Sequence, residues 1–283
     1  MNRWRDLGHE LMDFALDAVL RSGWARSVSY PLGLHGSLTL EQRLVRVGRR
    51  PGAPPLRVAF ASDFHGGPST HPKHIERALV LLAAAKPDVL LLGGDFVSLN
   101  VGYADEVARA LGAIPAPLGR FAVLGNHDYR RHRAPIVARS LESNGIEVLR
   151  NTNVHLPPPH DDVWICGLDD VELGEPDADA AVNGADGVRV VLMHGPDGLL
   201  PLGNRRFELA LAGHTHGGQV ALPGGTPIIL PGGALDRRYS HGFFHVRQDP
   251  LGAYLLVSRG VGCSALPIRL FADPEVHLVE LAG

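Results

Sequence analysis

Apolar residues gather in five short runs along the 283-residue chain: "LRVAFAS" (56–62), "VLLLGG" (89–94), "FAVLG" (121–125), "VRVVLM" (188–193) and "FELALAG" (207–213). Runs this short and this continuous predict strands buried on both faces. Segments with helical spacing near 73–85, 104–112 and 134–144 separate the first three runs. That alternation predicts an α/β fold. Upstream, Leu7, Leu11, Ala15, Ala18 and Val19 share one face of an amphipathic helix over 7–20, with Asp13 and Asp17 opposite. "SLTLEQRLVRV" (37–47) partly alternates and predicts a strand, and "GRRPGAPP" (48–55) reads as a turn or short linker. Residues 220–281 show no helical pattern, only β-like pieces such as "AYLLVS" and "VHLVEL" between glycines and prolines. The expected organisation is an N-terminal helix and strand (1–55), packed on or extending a main domain over 56–283.

The chemistry lies just after each run. Asp63 and His65 follow the first, Asp95 the second, and Asn126, His127 and Asp128 the third. His194 follows the fourth, and His214 and His216 follow the fifth in "GHTHGGQ". Ligands of open α/β sheets bind at the carboxyl ends of strands, so these groups can converge on one crevice. Any one of them has an ordinary turn-forming role, but five strand ends in succession do not. Seven residues, Asp63, His65, Asp95, Asn126, His194, His214 and His216, exceed what a single tetrahedral zinc needs. They suit two divalent ions with one shared carboxylate, because a carboxylate has two oxygens to offer. Imidazole and carboxylate without thiolate point to Mn, Fe, Zn, Co or Ni. In an extended backbone His214 and His216 would point to the same side. By the same alternation His127 would point away from Asn126.

Composition narrows the function. The chain is 45% hydrophobic and 20% charged with a net charge of −3, which gives a real core and no basic face for nucleic acid. Residues 1–50 carry eight Arg against five acidic residues, so this segment alone is positive. Trp4, Phe14 and Trp24 beside Arg3, Arg5, Arg21 and Arg26 would suit peripheral contact with an anionic membrane through the N-terminal helix. Packing of that helix on the domain's own core is the competing expectation. No run is long enough to span a bilayer, and no apolar stretch of signal-peptide type stands at the N-terminus. The expected location is cytoplasmic, with the inner membrane as a peripheral site. Cys166 and Cys263 sit in apolar surroundings, as buried free thiols would.

"SDFH", "GGD", "GNHDY", "LMHGPD" and "GHTHGGQ", in this order, resemble the metal boxes of the calcineurin-like metallophosphoesterase superfamily. The tail "VSRGVGCSALPIRLFADPEVHLVEL" resembles the bacterial branch of small phosphodiesterases and UDP-2,3-diacylglucosamine hydrolases. The resemblance implies a four-layer α/β/β/α sandwich with two central mixed sheets. It implies one ion, most simply Mn, on Asp63, His65, Asp95 and His216, and a second on Asp95, Asn126, His194 and His214. It further implies hydrolysis of a phosphodiester or pyrophosphate by metal-bound hydroxide, with His127 as general acid. Asp128 is expected to orient His127, and Arg130 and Arg131 in "RRHR" to hold the substrate anion. His71, His74 and His241 are secondary candidates for the cleft wall. UDP-2,3-diacylglucosamine of lipid A synthesis and soluble nucleotide-type diesters are the competing substrates. A non-catalytic scaffold of the same fold would be expected to have lost ligands, and none is missing here. A metallo-β-lactamase-type hydrolase would follow His-x-His with Asp-His, where this chain has glycines.

Overall fold

The structure is a computed structural model and describes residues 19–98, 100–247 and 253–283. The helix expected over 7–20 lies outside the described residues except for its last two positions. The expected strand is β1 (Thr39–Arg46). The five apolar runs become β2 (Leu56–Ala61), β3 (Val89–Leu92), β4 (Arg120–Ala122), β8 (Val188–Leu192) and β9 (Leu209–Ala212). Short strands β5 (Glu147–Val148), β6 (Thr152–His155) and β7 (Val163–Gly167) fill the middle of the chain. β10 (Gly242–Arg247), β11 (Ala253–Val257) and β12 (Glu275–Ala282) follow.

These strands form two mixed six-stranded sheets, ordered β1-β12-β2-β3-β4-β5 and β10-β11-β9-β8-β7-β6. Within the first, β2 to β5 are parallel. Within the second, β7, β8, β9 and β11 are parallel. The C-terminal strand β12 runs antiparallel to β2 and carries β1 on its other edge, in parallel.

Side-chain alternation explains the layering. Leu56, Val58 and Phe60 of β2 join Val163, Ile165, Val190, Leu192 and Leu211 in one core between the sheets. Ala59 and Ala61 face the other way, into a second core with Ala78, Leu82, Val107 and Leu111. Those residues come from α2 (Pro72–Ala84) and α3 (Ala104–Gly112), two of the helices of this layer. On the outer face of the second sheet, Val191, Met193, Ala210 and Leu255 pack with Ala178, Ala181 and Leu202. The result is helices, sheet, sheet, helices. α2 starts where His71 caps the Lys73 amide and Pro72 takes the first position, where no amide donor is needed. Asp105 and Glu106 occupy the positive end of α3.

The described part of the N-terminal segment packs on the first helical layer. α1 (Trp24–Ser29) leaves Trp24 exposed, but the Arg26 guanidinium donates to the carbonyls of Gly67 and Thr70. Tyr30 stacks on His71, 4.2 Å between ring centroids, and meets the buried rings of His35 and His74 edge-on. His74 therefore lies beneath α1, bonded to the Val261 carbonyl at 3.1 Å, with the Tyr30 and His35 rings against it. Burial, helped by the nearby His35 and Arg269 charges, holds its pKa down at about 3. The unfolded chain takes up this proton near pH 6.5 and the folded chain does not. The contribution to stability is thus intact above pH 6.5 and is lost as pH falls from there toward about 3. His74→Gln keeps an N–H for Val261 and cannot titrate. Urea unfolding at pH 7 and pH 5 should show the wild type losing about 2 kcal/mol more than this variant. Equal losses would mean that His74 does not titrate as described.

Candidate metal centre

β2, β3, β4, β8 and β9 end on the same side of the two sheets, and the chain turns sharply beyond each. Asp63 (φ 55°), His65 (φ 45°), Asp95 (φ 55°), His214 (φ 72°) and His216 (φ 52°) are all left-handed. Holding a side-chain-bearing residue in such a conformation costs on the order of 1–3 kcal/mol, and such strain collects at functional sites. Five of the seven expected ligands carry it.

The side chains converge in two overlapping groups. In the first, Nε2 of His65 and Nε2 of His216 lie 3.0 Å apart, and the His216 nitrogen is 3.4 Å from Oδ1 of Asp63. In the second, Nε2 of His194 is 3.1 Å from both Oδ1 of Asn126 and Nδ1 of His214. Asp95 belongs to both: its Oδ2 is 3.4 Å from His65 Nε2 and 3.5 Å from His194 Nε2. Potential ligand atoms of Asp63, His65 and His216 lie within 4.8 Å of one another, as do those of Asp63, Asp95 and His194.

The donor chemistry fits divalent cations. All the nitrogens are imidazole, the oxygens are carboxylate or amide, and six of the seven residues are buried. His194 Nδ1 donates to the Gly93 carbonyl at 2.8 Å, which orients the ring with Nε2 toward Asp95. Two glycines make the room. A Cβ on Gly125 would sit 2.2 Å from Oδ1 of Asp95, and one on Gly213 would sit 2.2 Å from Oδ2 of Asp63.

The sequence also resembles known proteins. Residues 56–218, more than half of the chain, match the calcineurin-like phosphoesterase family model. The chain belongs to this family. Phosphodiesterase YaeI of Escherichia coli (strain K12) is 33% identical over 81% of this chain and 83% of its own. Metallophosphoesterase YkuE of Bacillus subtilis (strain 168) is 28% identical over 80% of this chain and 79% of its own. A metallophosphoesterase of Aquifex aeolicus (strain VF5) is 29% identical over 87% and 92%.

The electrostatics of the phosphoesterase site follow from burial. Desolvation lowers His65 to about 4 and His214 to about 3, and it takes His127 and His216 well below the ordinary value. Neutral imidazoles are the form that binds metal. His194 departs from the others, because the Asp95, Asp63 and Asp170 carboxylates outweigh its burial and raise it well above the ordinary value. Burial also pushes Asp63 up to about 6, with the Asp95 charge adding to it. Asp95 is pushed up by burial as well, but the imidazoles of His194, His127 and His65 outweigh this and hold it well below the carboxylate range.

Three expectations need correction. His214 and His216 do not reach one side from an extended strand. Both are left-handed around a right-handed Thr215, so one ring meets His194 and the other meets His65. Asn126 and His127 likewise diverge from a helical turn, α4 (Asn126–Tyr129), rather than from extended backbone. Asp128 does not orient His127. From that same turn its carboxylate points back and accepts the amides of Asp95, Phe96, Val97 and Gly125 at 2.9–3.2 Å. It ties the β3 loop to the β4 loop, and burial pushes it up to about 8 against the pull of those amides.

The ring of His127 stands edge-on to His65 at 4.8 Å, with Nδ1 buried and without a partner among the described residues. Arg130 closes the α4 turn that carries Asn126 and His127, and its charge helps lower His65, His127 and His214. Arg131 is exposed.

Two residues near the site were not anticipated. Asp170, beyond β7, is buried, pushed up to about 6, and close enough for its charge to raise His194. Arg269 is buried against His216. The sequence signal for Arg269 is a lone cation in the otherwise uncharged stretch 260–272.

Proposed function

We propose that the protein is a dinuclear metal-dependent phosphodiesterase. The observation that carries the reading is Asp95, whose carboxylate faces an imidazole of each group of buried donors. One ion would sit on Asp63, His65, Asp95 and His216, the other on Asp95, Asn126, His194 and His214. Two bound divalent ions would supply Lewis acidity and a water of lowered pKa at neutral pH. The protein's own groups do the rest. Arg130 holds a non-bridging phosphate oxygen, with Arg131 farther out toward solvent. His127, whose Nδ1 has no partner among the described residues, donates to the oxygen of the departing alcohol. A phosphate anion bound beside it favours the imidazolium, offsetting the burial that otherwise keeps the ring neutral. The similarity to YaeI supports a diester over a monoester.

A second reading, an amphiphilic diester such as UDP-2,3-diacylglucosamine, is favoured by one surface. Leu222, Ile228, Ile229, Leu266, Leu270 and Phe271 are each at least 41% exposed. They lie on two segments joined through the Val220–Leu270 bridge. This surface adjoins the site, because a Cβ on Gly218 would lie 2.8 Å from the Ile229 carbonyl oxygen. No charged residue occurs between positions 217 and 235. The N-terminal helix would add to this surface on a membrane, and the pairing of β1 with β12 supports residues 1–55 as an extension of the main domain. Among the described residues no helix is long and apolar enough to cross a membrane.

Mn-loaded protein assayed against bis-p-nitrophenyl phosphate, p-nitrophenyl phosphate and UDP-diacylglucosamine in mixed micelles tests both readings. The diester should be cleaved faster than the monoester. Preference for the monoester would overturn the diesterase reading, and no cleavage of any of the three would favour a non-catalytic scaffold. Failure on the lipid substrate alone would leave the soluble diesters.

A further inference from the structure

Tyr129 is the last residue of α4, three positions after Asn126 and two after His127. That turn follows β4 of the first sheet, yet the Tyr129 hydroxyl donates to Oδ1 of Asp169, which follows β7 of the second. Asp169 is 3% exposed, and three further donors surround its carboxylate. Oδ1 also accepts the Asp170 amide at 3.0 Å, and Oδ2 accepts the Glu175 amide at 3.0 Å and Nη2 of Arg150 at 3.3 Å. The Arg150 guanidinium lies over the Tyr129 ring, 5.5 Å from its centroid. Arg150 itself stands in the crossover from β5 of the first sheet to β6 of the second. Three side chains from three segments thus strap the ends of the two sheets together. Burial, with the Asp169 hydrogen bond and charge adding to it, pushes the phenol up, so Tyr129 keeps the proton that it donates.

The strap lies where a distance between the sheets matters. In the second group of donors, Asp95 and Asn126 follow strands of the first sheet, while His194 and His214 follow β8 and β9 of the second. Asn126 Oδ1 and His194 Nε2 meet across that boundary at 3.1 Å. β7 runs parallel beside β8, and the Leu168 amide donates to the Leu192 carbonyl at 2.9 Å. Asp169 therefore leaves its strand next to the segment that ends in His194. Asp128 ties the α4 turn to the β3 loop of the same sheet. The Tyr129–Asp169 bond carries the same turn across to the second sheet. Residues three apart in a helical turn share a face, so this bond acts on the side of the turn that bears Asn126. A binding constellation tolerates only about 0.5 Å of misplacement.

We propose that Tyr129 is a positioning residue that sets the spacing of Asn126 from His194 through its hydrogen bond to Asp169. This rests on the dinuclear reading above.

The test compares wild type, Tyr129→Phe, Asp169→Asn, the double variant and a core variant, Leu82→Ala in α2. Tyr129→Phe keeps the ring beneath Arg150 and removes only the hydroxyl. Each protein is equilibrated with buffered free Mn, and bound metal is counted by mass spectrometry alongside thermal melting of the metal-free protein. Wild type should bind two ions. Tyr129→Phe should bind one of them about tenfold more weakly, the lower end of what residues behind a ligand contribute, and keep the other. In crystals at limiting Mn, the anomalous peak beside Asn126, His194 and His214 should be the one that fades. The double variant should be no weaker than Asp169→Asn alone, because both substitutions remove one bond. Leu82→Ala should melt lower and keep both ions. Tyr129→Phe holding both ions with wild-type affinity would overturn the proposal, as would loss of both in step with melting temperature. If Tyr129→Phe does not fold, Asp169→Asn is read by the same criteria. Wild type binding no second ion would sink the dinuclear reading and this proposal with it, a result distinct from Tyr129→Phe binding two ions as tightly as wild type.

Discussion

Asp95→Ala should lose both metal ions and reduce phosphodiester hydrolysis to background. Its Oδ2 lies between an imidazole of each group, with His65 at 3.4 Å and His194 at 3.5 Å. Its Oδ1 also accepts the His127 amide at 2.9 Å, so the substitution frees the turn that carries Asn126 as well. Asp95→Asn is the sharper variant because it keeps the shape, but one oxygen becomes a donor that cannot bind a cation. Metal content should fall for both variants, while the fold survives, as judged by circular dichroism. A variant that keeps two ions would show that the two groups do not share this carboxylate.

His127→Ala should behave in the opposite way. Turnover should fall by roughly 10²–10⁴, the usual scale for a general acid, while about two ions per chain remain. This is a real contest, because His127 lies with His65 and Asp95 in a third group whose ligand atoms are all within 4.8 Å. Proximity alone would allow it to be a ligand. The two proposed sets already use the seven other donors, and its Nδ1 has no partner among the described residues. A substrate with a good leaving group, such as a nitrophenolate, needs little help from an acid and should be affected least. Loss of one ion from His127→Ala would reassign the residue as a ligand.

Much of this was readable from the chain because apolar strand runs and the residues after them are local patterns. β2, β3, β8 and β9 each follow their run to within a few residues, and their ends deliver Asp63, Asp95, His194 and His214. β7 was harder: its five residues follow a proline-rich loop, and only pairing with β6 and β8 makes them a strand. Asp170 at its end was missed with it.

Side-chain direction was the less legible part. Strand alternation assigns directions only while the backbone stays extended, and at this site it does not. The left-handed turns at His214 and His216 come from packing around Gly213 and Gly217, which a two-residue period cannot express. Asp128 shows the same limit: adjacency to His127 suggests partnership, yet one helical turn sends its carboxylate to four backbone amides instead. Arg269 stands 53 positions from His216, and no local pattern joins them.

The central claim is a pair of ions that share Asp95. Anomalous diffraction from crystals of the Mn-loaded protein, recorded at the manganese edge, tests it most directly. The account predicts two peaks per chain, one beside Asp63, His65 and His216, the other beside Asn126, His194 and His214, with Asp95 touching both and His127 touching neither. A single peak, or two peaks with no shared carboxylate, would contradict it.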